Sequence, residues 1–115
     1  MNTSNNWITV CSDTDLVTNS GVCALLNEQQ IALFKLKIDN VEQVFALSNW
    51  DPIGKANVLY RGLLGSVQDT KVIISPLYKQ RFCLESGQCL DDDAIKLIVY
   101  PVRIEQNQVQ LQWVD

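Results

Sequence analysis

The sequence predicts a mainly β protein, a small antiparallel sandwich or barrel, and three observations favour this class. Apolar residues recur mostly at every second position, which is the period of a half-buried strand. No window of a dozen residues carries the apolar stripe of an amphipathic helix. Short polar segments that suit hairpin turns separate the apolar runs. A chain of 115 residues is expected to form one domain, over residues 1–115.

Strands are predicted in order along the chain wherever an apolar or alternating run is bounded by turn residues. The first five run from Trp7 to Cys11, Gly21 to Leu26, Ile31 to Ile38, Val44 to Leu47 and Lys71 to Ser75. The segments NEQQ and DNVE connect three of them in hairpin fashion. After the first strand, SDTDL is expected to form a single helical turn with Ser12 or Asp13 as its cap.

The C-terminal segment is predicted to be a hairpin of LIVYPVRIE and QVQLQWV around the turn QNQ. In the second strand Val109, Leu111 and Trp113 alternate with glutamines. In the first strand one face is expected to hold Ile98, Tyr100, Val102 and Ile104. Because Pro101 has no N–H, this strand should lie at an edge or carry a bulge. Trp7 and Trp113 are expected to belong to the core.

One longer segment, Ser48 to Thr70, is predicted to be irregular. Its apolar residues are expected to anchor it to the core: Trp50, Val58, Leu59, Leu63 and Leu64. Long loops on a rigid sheet are common places for binding surfaces, so this segment is a candidate functional region.

Charge and hydropathy exclude several classes of partner. The net charge of −4 and the scattered basic residues argue against nucleic acid, which needs a concentrated basic surface. No apolar run approaches the length of a membrane span, so no membrane partner is expected. The first residues lack a signal-peptide pattern, which makes the cytoplasm the expected location. The run Asp91 to Asp93 is interpreted as a solvated turn rather than a calcium loop.

The chain contains no histidine, so catalytic triads and histidine-ligated metals are excluded. Four cysteines, Cys11, Cys23, Cys83 and Cys89, are expected to be reduced thiols in a cytoplasmic protein. Cys83 and Cys89 flank the turn ESGQ and are candidates to face each other across a hairpin, which leaves a redox role open. We therefore predict no catalytic, cofactor-binding or metal-binding residue in this chain.

Two proline loops stand out, NWDPIG at Asn49 to Gly54 and SPLYKQRF at Ser75 to Phe82, each following a β run. We call them the first and the second proline loop. Together they resemble the cluster-binding loops of Rieske-type ferredoxin domains, C-P-H-x-G and C-P-x-H-x-x-x-F. The resemblance places Asp51 and Ile53 at the ligand positions of the first loop, and Ser75 and Tyr78 at those of the second. A Rieske cluster needs two thiolates and two imidazoles, so the resemblance implies a Rieske-like fold without an iron-sulfur cluster.

A Rieske-like domain without these ligands resembles the small subunits of cytoplasmic, NADH-dependent assimilatory nitrite reductases. The matching segments are FALSNWDP, VLYRGLLG, SPLYKQRFCLESGQCLDD and VRIEQNQVQLQ. In that family the large subunit carries FAD, an iron-sulfur cluster and siroheme and reduces nitrite to ammonium. The resemblance implies a subunit without a cofactor that associates with the large subunit and supports its activity.

Exposed side chains of the two loops are the candidate partner-binding residues: Trp50, Tyr78, Lys79, Gln80 and Arg81, together with Arg61. The competing interpretation is that Trp50 and Tyr78 fill the space of the missing cluster, while Asp51 and Ser75 bond to local backbone groups. Arg61 has a second possible role, a salt bridge that holds the long segment. Alternative functions are a ligandless Rieske-like interaction module of another oxidoreductase complex, an oxygenase ferredoxin and a self-sufficient enzyme.

Overall fold

The computed structural model describes residues 6–114, and its regular structure is mainly antiparallel strands. The strands are β1 Ile8–Ser12, β2 Ser20–Leu26, β3 Gln29–Ile38, β4 Val41–Ser48, β5 Trp50–Asp51, β6 Ala56–Asn57, β7 Leu63–Val67, β8 Thr70–Ile74, β9 Arg81–Cys83, β10 Val102–Glu105 and β11 Gln108–Leu111. They form sheets in the orders β1-β11-β10, β2-β3-β4, β5-β6 and β7-β8-β9, and every paired strand is antiparallel. The predicted fold class is confirmed.

Helical structure in the described residues consists of two short 3₁₀ helices, Asp13–Asp15 and Leu59–Arg61. Ser12 caps the first by accepting a hydrogen bond from the Thr14 N–H, and Asp15 accepts one from the Ser12 N–H in return. The predicted helical turn and its Ser12 cap are therefore confirmed. In the part of the chain that the structure describes, no helix is long and apolar enough to cross a bilayer.

Four hairpins close through two-residue turns in which both residues have positive φ. Three of these pairs lie at the predicted turns, and the fourth joins β7 to β8: Asn27–Glu28, Asp39–Asn40, Gln106–Asn107 and Gln68–Asp69. This is the geometry of type I′ turns, whose twist matches that of the strands they join. Polar residues such as asparagine and aspartate tolerate this conformation, which explains why hairpins form here without glycine.

The central strand β3 supplies both core clusters. Ala32, Phe34 and Leu36 pack into one cluster, which also contains Phe82. Ile31 and Leu33 point to the other face and pack with the C-terminal hairpin. Because neighbouring residues of a strand face opposite sides, the continuous apolar run in β3 reflects burial on both of its faces. The sheet β2-β3-β4 is thus the middle of the fold, with β4 leading directly into the first proline loop.

The segment from Ser48 to Thr70 is more regular than predicted. It contains β5, β6, the second 3₁₀ helix and the whole of β7, which pairs with β8 from Leu63↔Ile74 to Val67↔Thr70. The sequence LLGSV has neither alternation nor a β-branched run, so its partner β8 rather than its own pattern makes it a strand. Leu59 is buried as expected, and Leu64 packs against the core, but Leu63 is 66% exposed and does not anchor the segment.

The predicted strand LIVYPVRIE is only half formed, since β10 begins at Val102. Upstream of Pro101 the chain is tied to β4 by the isolated bridge Leu47↔Val99 and by the hydrogen bond from the Tyr100 N–H to the Ala46 carbonyl. Tyr100 is buried, but Ile98 and Ile104 are exposed, so the expected common face was wrong. Proline lacks the N–H that a continuous ladder needs, and the change of partner occurs at this residue.

The two terminal tryptophans differ in their environment. Trp113 packs against the second core cluster, with its ring centroid 6.0 Å from that of Tyr100. Trp7 is only partly buried and lies under the guanidinium of Arg103, whose central carbon is 4.4 Å from the ring centroid. The core assignment is confirmed for Trp113 and was wrong for Trp7, which makes a cation–π contact at the surface.

Candidate functional site

The first proline loop begins at Asn49, a fully buried polar residue that the sequence analysis did not single out. Its side-chain oxygen accepts a hydrogen bond from the Tyr60 N–H at 2.8 Å, and its amide nitrogen donates to Gln30 Oε1 at 3.1 Å. Its backbone N–H also donates to the Gln30 carbonyl. Asn49 therefore ties the start of the loop to β3 on one side and to the second 3₁₀ helix on the other.

Asp51 organises the turn of the first loop from a fully buried position. Its Oδ1 accepts hydrogen bonds from the N–H groups of Ile53 at 2.9 Å and Gly54 at 3.0 Å. Its Oδ2 accepts a hydrogen bond from the Ser75 hydroxyl at 2.5 Å. One carboxylate thus closes its own loop and connects it to the second proline loop.

The second proline loop repeats the plan of the first. Ser75 is fully buried, and its Oγ accepts a hydrogen bond from the Leu77 N–H, two residues on, as Asp51 does from Ile53. The loop closes with a hydrogen bond from the Ser75 N–H to the Gln80 carbonyl at 2.9 Å. Asp51 and Ser75 therefore bond to local backbone groups, as one of the two interpretations from the sequence predicted.

The loops also touch through apolar atoms. A Cβ added at Gly54 would lie 2.4 Å from Leu77 Cδ1, so Leu77 packs directly on the glycine of the other loop. A side chain at position 54 would require the Leu77 side chain to move from this contact. We call the three buried polar residues Asn49, Asp51 and Ser75 the loop floor.

The four positions that correspond to Rieske ligands do not fit a [2Fe-2S] cluster. Asp51 and Ser75 are buried and bonded to each other, Ile53 packs against the first core cluster, and Tyr78 is 65% exposed. A carboxylate, a hydroxyl, an alkyl group and a phenol replace the two thiolates and two imidazoles that the cluster needs. Within residues 6–114 no group of three or more potential metal-binding side chains (His, Cys, Asp or Glu) comes together.

The outer side of the loops is exposed and partly apolar. Trp50 is 44% exposed, Leu77 43% and Tyr78 65%, and the lysines at positions 55 and 79 are exposed as well. Trp50 and Tyr78 therefore do not fill a space left by a cluster, and that interpretation was wrong for both. We call these five residues, Trp50, Lys55, Leu77, Tyr78 and Lys79, the loop rim.

Arg81 is engaged in an ion pair at the end of the second loop. Its Nη2 donates to Asp91 Oδ1 at 2.7 Å, and its Nε and backbone N–H donate to Asp91 Oδ2. These hydrogen bonds, from the side chain first and then from the backbone, lower the pKa of Asp91. The run Asp91 to Asp93 is exposed as predicted, but Asp91 is the partner of Arg81 rather than only a solvated turn residue.

Arg61 is exposed and stacks on its neighbour in the chain. Its Nε donates to the Tyr60 hydroxyl at 2.7 Å, and its guanidinium carbon lies 5.3 Å from the Tyr60 ring centroid. Among the ion pairs of the described residues, Arg61 has no carboxylate partner. The salt bridge that was one of its two possible roles is not formed, and Arg61 keeps its guanidinium at the surface.

The cysteines are free thiols in different environments. Cys89 is buried and lies opposite Phe82 in an isolated antiparallel β-bridge. Neighbouring residues of a strand point to opposite faces, so the side chain of Cys83, next to Phe82, points away from the face that holds Cys89. The expectation that the two face each other was wrong. Burial raises the pKa of the Cys83 thiol, but hydrogen bonds from Ser86 and from the Glu85 backbone outweigh it, so the pKa lies below its usual value.

A cleft of about 840 Å³ lies away from the loop floor, between the edge strand β7 and the far end of β3. Its walls include the apolar residues Leu36, Ile38, Leu63 and Leu64, with Asp69 and Lys71 at the β7–β8 turn. None of the residues predicted to bind a partner lines this cleft. The pair of proline loops stays the candidate site that the sequence predicts, and the cleft is a separate feature.

Comparisons with known proteins identify the family of the chain. Residues 6–112 match the family model described as a Rieske-like [2Fe-2S] domain. The chain is 40% identical over 106 residues to the nitrite reductase (NADH) small subunit of Escherichia coli strain K12, covering 92% of this chain and 96% of that protein. The solution structure of the nitrite reductase [NAD(P)H] small subunit from Erwinia carotovora has a TM-score of 0.78 and 42% identity, over 97% of this chain and 85% of that one.

A further relative places a similar sequence inside a longer protein. The chain is 40% identical to a segment of the nitrite reductase [NAD(P)H] large subunit of Klebsiella oxytoca, covering 92% of this chain and 11% of that protein. The fold and these similarities indicate the same family. The chain belongs to the Rieske-like domain family and, within it, to the small subunits of NADH-dependent nitrite reductase.

Proposed function

We propose that this chain is the non-catalytic small subunit of a cytoplasmic NADH-dependent nitrite reductase, which reduces nitrite to ammonium in nitrate assimilation. The observation that carries the proposal is the 40% identity to the Escherichia coli small subunit over nearly the whole of both chains. The Klebsiella oxytoca large subunit, with a similar segment in one polypeptide, favours a permanent association with the large subunit. The chain acts as one domain, residues 1–115.

The small subunit contributes binding rather than a cofactor. The loop floor uses its buried oxygens for hydrogen bonds within the protein, so they are not free to hold a metal. In this proposal FAD, the iron-sulfur cluster and siroheme all belong to the large subunit. The role of the small subunit is to associate with the large subunit and support its activity.

The loop rim is the proposed docking surface. Tyr78 and Trp50 are large exposed aromatic residues, the type that most often carries binding energy in interfaces. Lys79, Gln80, Arg81 and Arg61 complete the partner-binding set, with Arg81 positioned by Asp91. The hydrogen bonds of the floor hold these residues in place before binding, which limits the entropy that is lost on association.

The test is reconstitution of the enzyme from separately purified subunits. The large subunit is assayed for NADH-dependent nitrite reduction with increasing amounts of this chain, and complex formation is followed by size-exclusion chromatography. We expect a stable complex and an activity that rises to saturation as the chain is added. A complex without any effect on activity, or no complex at all, would overturn the proposal.

A tagged chain recovered from cells grown on nitrite provides the complementary measurement. Recovery of a siroheme-containing flavoprotein is expected. Recovery of a different reductase instead would favour the alternative, a ligandless Rieske-like interaction module of another oxidoreductase complex.

A further inference from the structure

Matching lysines lie four residues after Asp51 and four residues after Ser75: Lys55 directly follows the first proline loop, and Lys79 lies within the second. In D-P-I-G-K and S-P-L-Y-K the fifth residue is Lys55 or Lys79, and both adopt positive φ, 57° and 67°. A lysine rarely adopts this left-handed conformation, which costs about 1 kcal/mol. Two backbone hydrogen bonds hold the lysines in this conformation. The Lys55 N–H donates to the Asp51 carbonyl, and the Ser75 N–H donates to the Gln80 carbonyl. The backbone position of each lysine is therefore fixed by these hydrogen bonds.

Both lysines lie beside the exposed apolar part of the rim. Lys55 follows Gly54, on which Leu77 packs, and Lys79 follows the exposed Tyr78. Neither lysine has a partner among the ion pairs of residues 6–114. Lys79 is thus the chain neighbour of Tyr78, and Lys55 is the chain neighbour of the glycine on which Leu77 packs. Both cations remain available to a binding partner.

The positive charge of the two lysines differs in sign from the net charge of the chain. The net charge is −4, yet residues 49–81 contain five of the nine basic residues and only two of the thirteen acidic ones. Of those two, Asp51 is buried in the loop floor and Asp69 lies at the distant β7–β8 turn. The five residues of the loop rim themselves carry two positive charges, those of Lys55 and Lys79, and no carboxylate, on a protein with a net charge of −4.

We propose that Lys55 and Lys79 form a charged clamp around Leu77 and Tyr78, and that the clamp binds an apolar pocket rimmed by carboxylates on the large subunit. The inference rests on the proposed function and adds to it the chemistry of the partner surface and a residue, Lys55. Opposite charges at the edge of an apolar contact raise the association rate and fix the orientation. The acidic remainder of the chain disfavours other orientations on the same pocket, because like charges repel.

The experiment measures the affinity of the full chain for the purified large subunit at low and high NaCl concentration. The variants are Lys55→Glu and Lys79→Glu, and the matched control is Lys96→Glu, an exposed lysine outside the loops that gives the same change in net charge. Circular dichroism and thermal unfolding verify that each variant is folded. We expect wild-type binding to weaken with salt, and each loop variant to bind roughly tenfold more weakly at low salt.

The loop variants should also lose most of the salt dependence, while Lys96→Glu should behave as wild type. If folded Lys55→Glu and Lys79→Glu bind as tightly as Lys96→Glu, the clamp is wrong, although the proposed function stands as long as wild type binds. If the wild-type chain does not bind the large subunit at either salt concentration, the proposed function and the clamp both fail.

Discussion

The floor and the rim of the proline loops differ in where their side chains find partners. In the floor, Asn49, Asp51 and Ser75 are fully buried and direct their side chains to partners within the chain. In the rim, Tyr78 and Lys79 are exposed, only a few residues along the chain from Ser75. A hydrogen-bonded floor holds the loops in place, and the rim is left free to bind.

The comparison also indicates how a Rieske-like fold keeps its loops without a metal. In the floor one carboxylate accepts hydrogen bonds from its own loop and from the serine of the other. Buried polar groups of this kind fix a geometry because any other arrangement leaves a donor unpaired. The comparison predicts that floor variants lose stability first, whereas rim variants lose binding alone.

The largest effect is expected for Asp51→Ala. The variant leaves the Ile53 and Gly54 N–H groups and the Ser75 hydroxyl without their acceptor, which should lower the free energy of unfolding by about 3 kcal/mol. Urea unfolding at pH 7 measures it, with Asp93→Ala as the exposed control. Asp51→Asn keeps an oxygen for the two backbone groups and should retain most of the stability. Wild-type stability in Asp51→Ala would contradict the role of the floor.

Asn49→Ala is expected to follow, with a loss of about 2 kcal/mol. The variant removes the acceptor of the Tyr60 N–H and the donor to Gln30, which together tie the loop to two elements. The same unfolding measurement applies, and Asn57→Ala, at an exposed asparagine of β6, is the matched control. Equal losses of stability in the two variants would contradict the role of Asn49 in tying the first proline loop to its neighbours.

In the rim, Tyr78→Ala should leave stability within about 0.5 kcal/mol of wild type, because the ring is mostly exposed. Its affinity for the large subunit should fall by about 2 kcal/mol, roughly thirtyfold, because a buried tyrosine at an interface often contributes this much binding energy. Titration calorimetry measures the affinity, with Leu25→Ala as an exposed apolar control from β2. Unchanged binding in Tyr78→Ala would remove this residue from the docking surface.

The smallest effect concerns Asp91, which lies outside the floor. Because Arg81 lowers the pKa of Asp91, the folded state favours the carboxylate. The ion pair contributes fully to stability when the pH is above about 3.9, the ordinary pKa of an aspartate. This contribution is lost as the pH falls through the lowered pKa of Asp91. Asp91→Asn should therefore be slightly less stable than wild type at pH 7, and the difference should shrink below about pH 4.

Asp93→Asn is the control for this last comparison, since the side chain of Asp93 is exposed and outside the ion pair. Unfolding curves between pH 3 and pH 7 measure both variants. A difference between Asp91→Asn and wild type that does not change with pH would show that the ion pair does not contribute.

The sequence predicts a structural feature when the residues that produce it lie close together in the chain. The β3 run and the hairpin turns were predicted because alternation, apolar runs and polar turn residues act over a few positions. The pairing of Asp51 with Ser75 crosses 24 positions and was not predicted, although each residue was expected to bond locally. Lys55 was missed because it lies one residue beyond the first proline loop.

The sequence by itself determined that this protein is mainly β and that its loops lack the thiolate and imidazole ligands of a Rieske cluster. Composition is independent of folding, so the absence of histidine needs no structure. Only the tertiary structure decided that Trp50 and Tyr78 are exposed, that Arg81 binds Asp91 and that Cys83 and Cys89 lie on opposite faces. These features depend on packing between distant segments, which a local pattern does not specify.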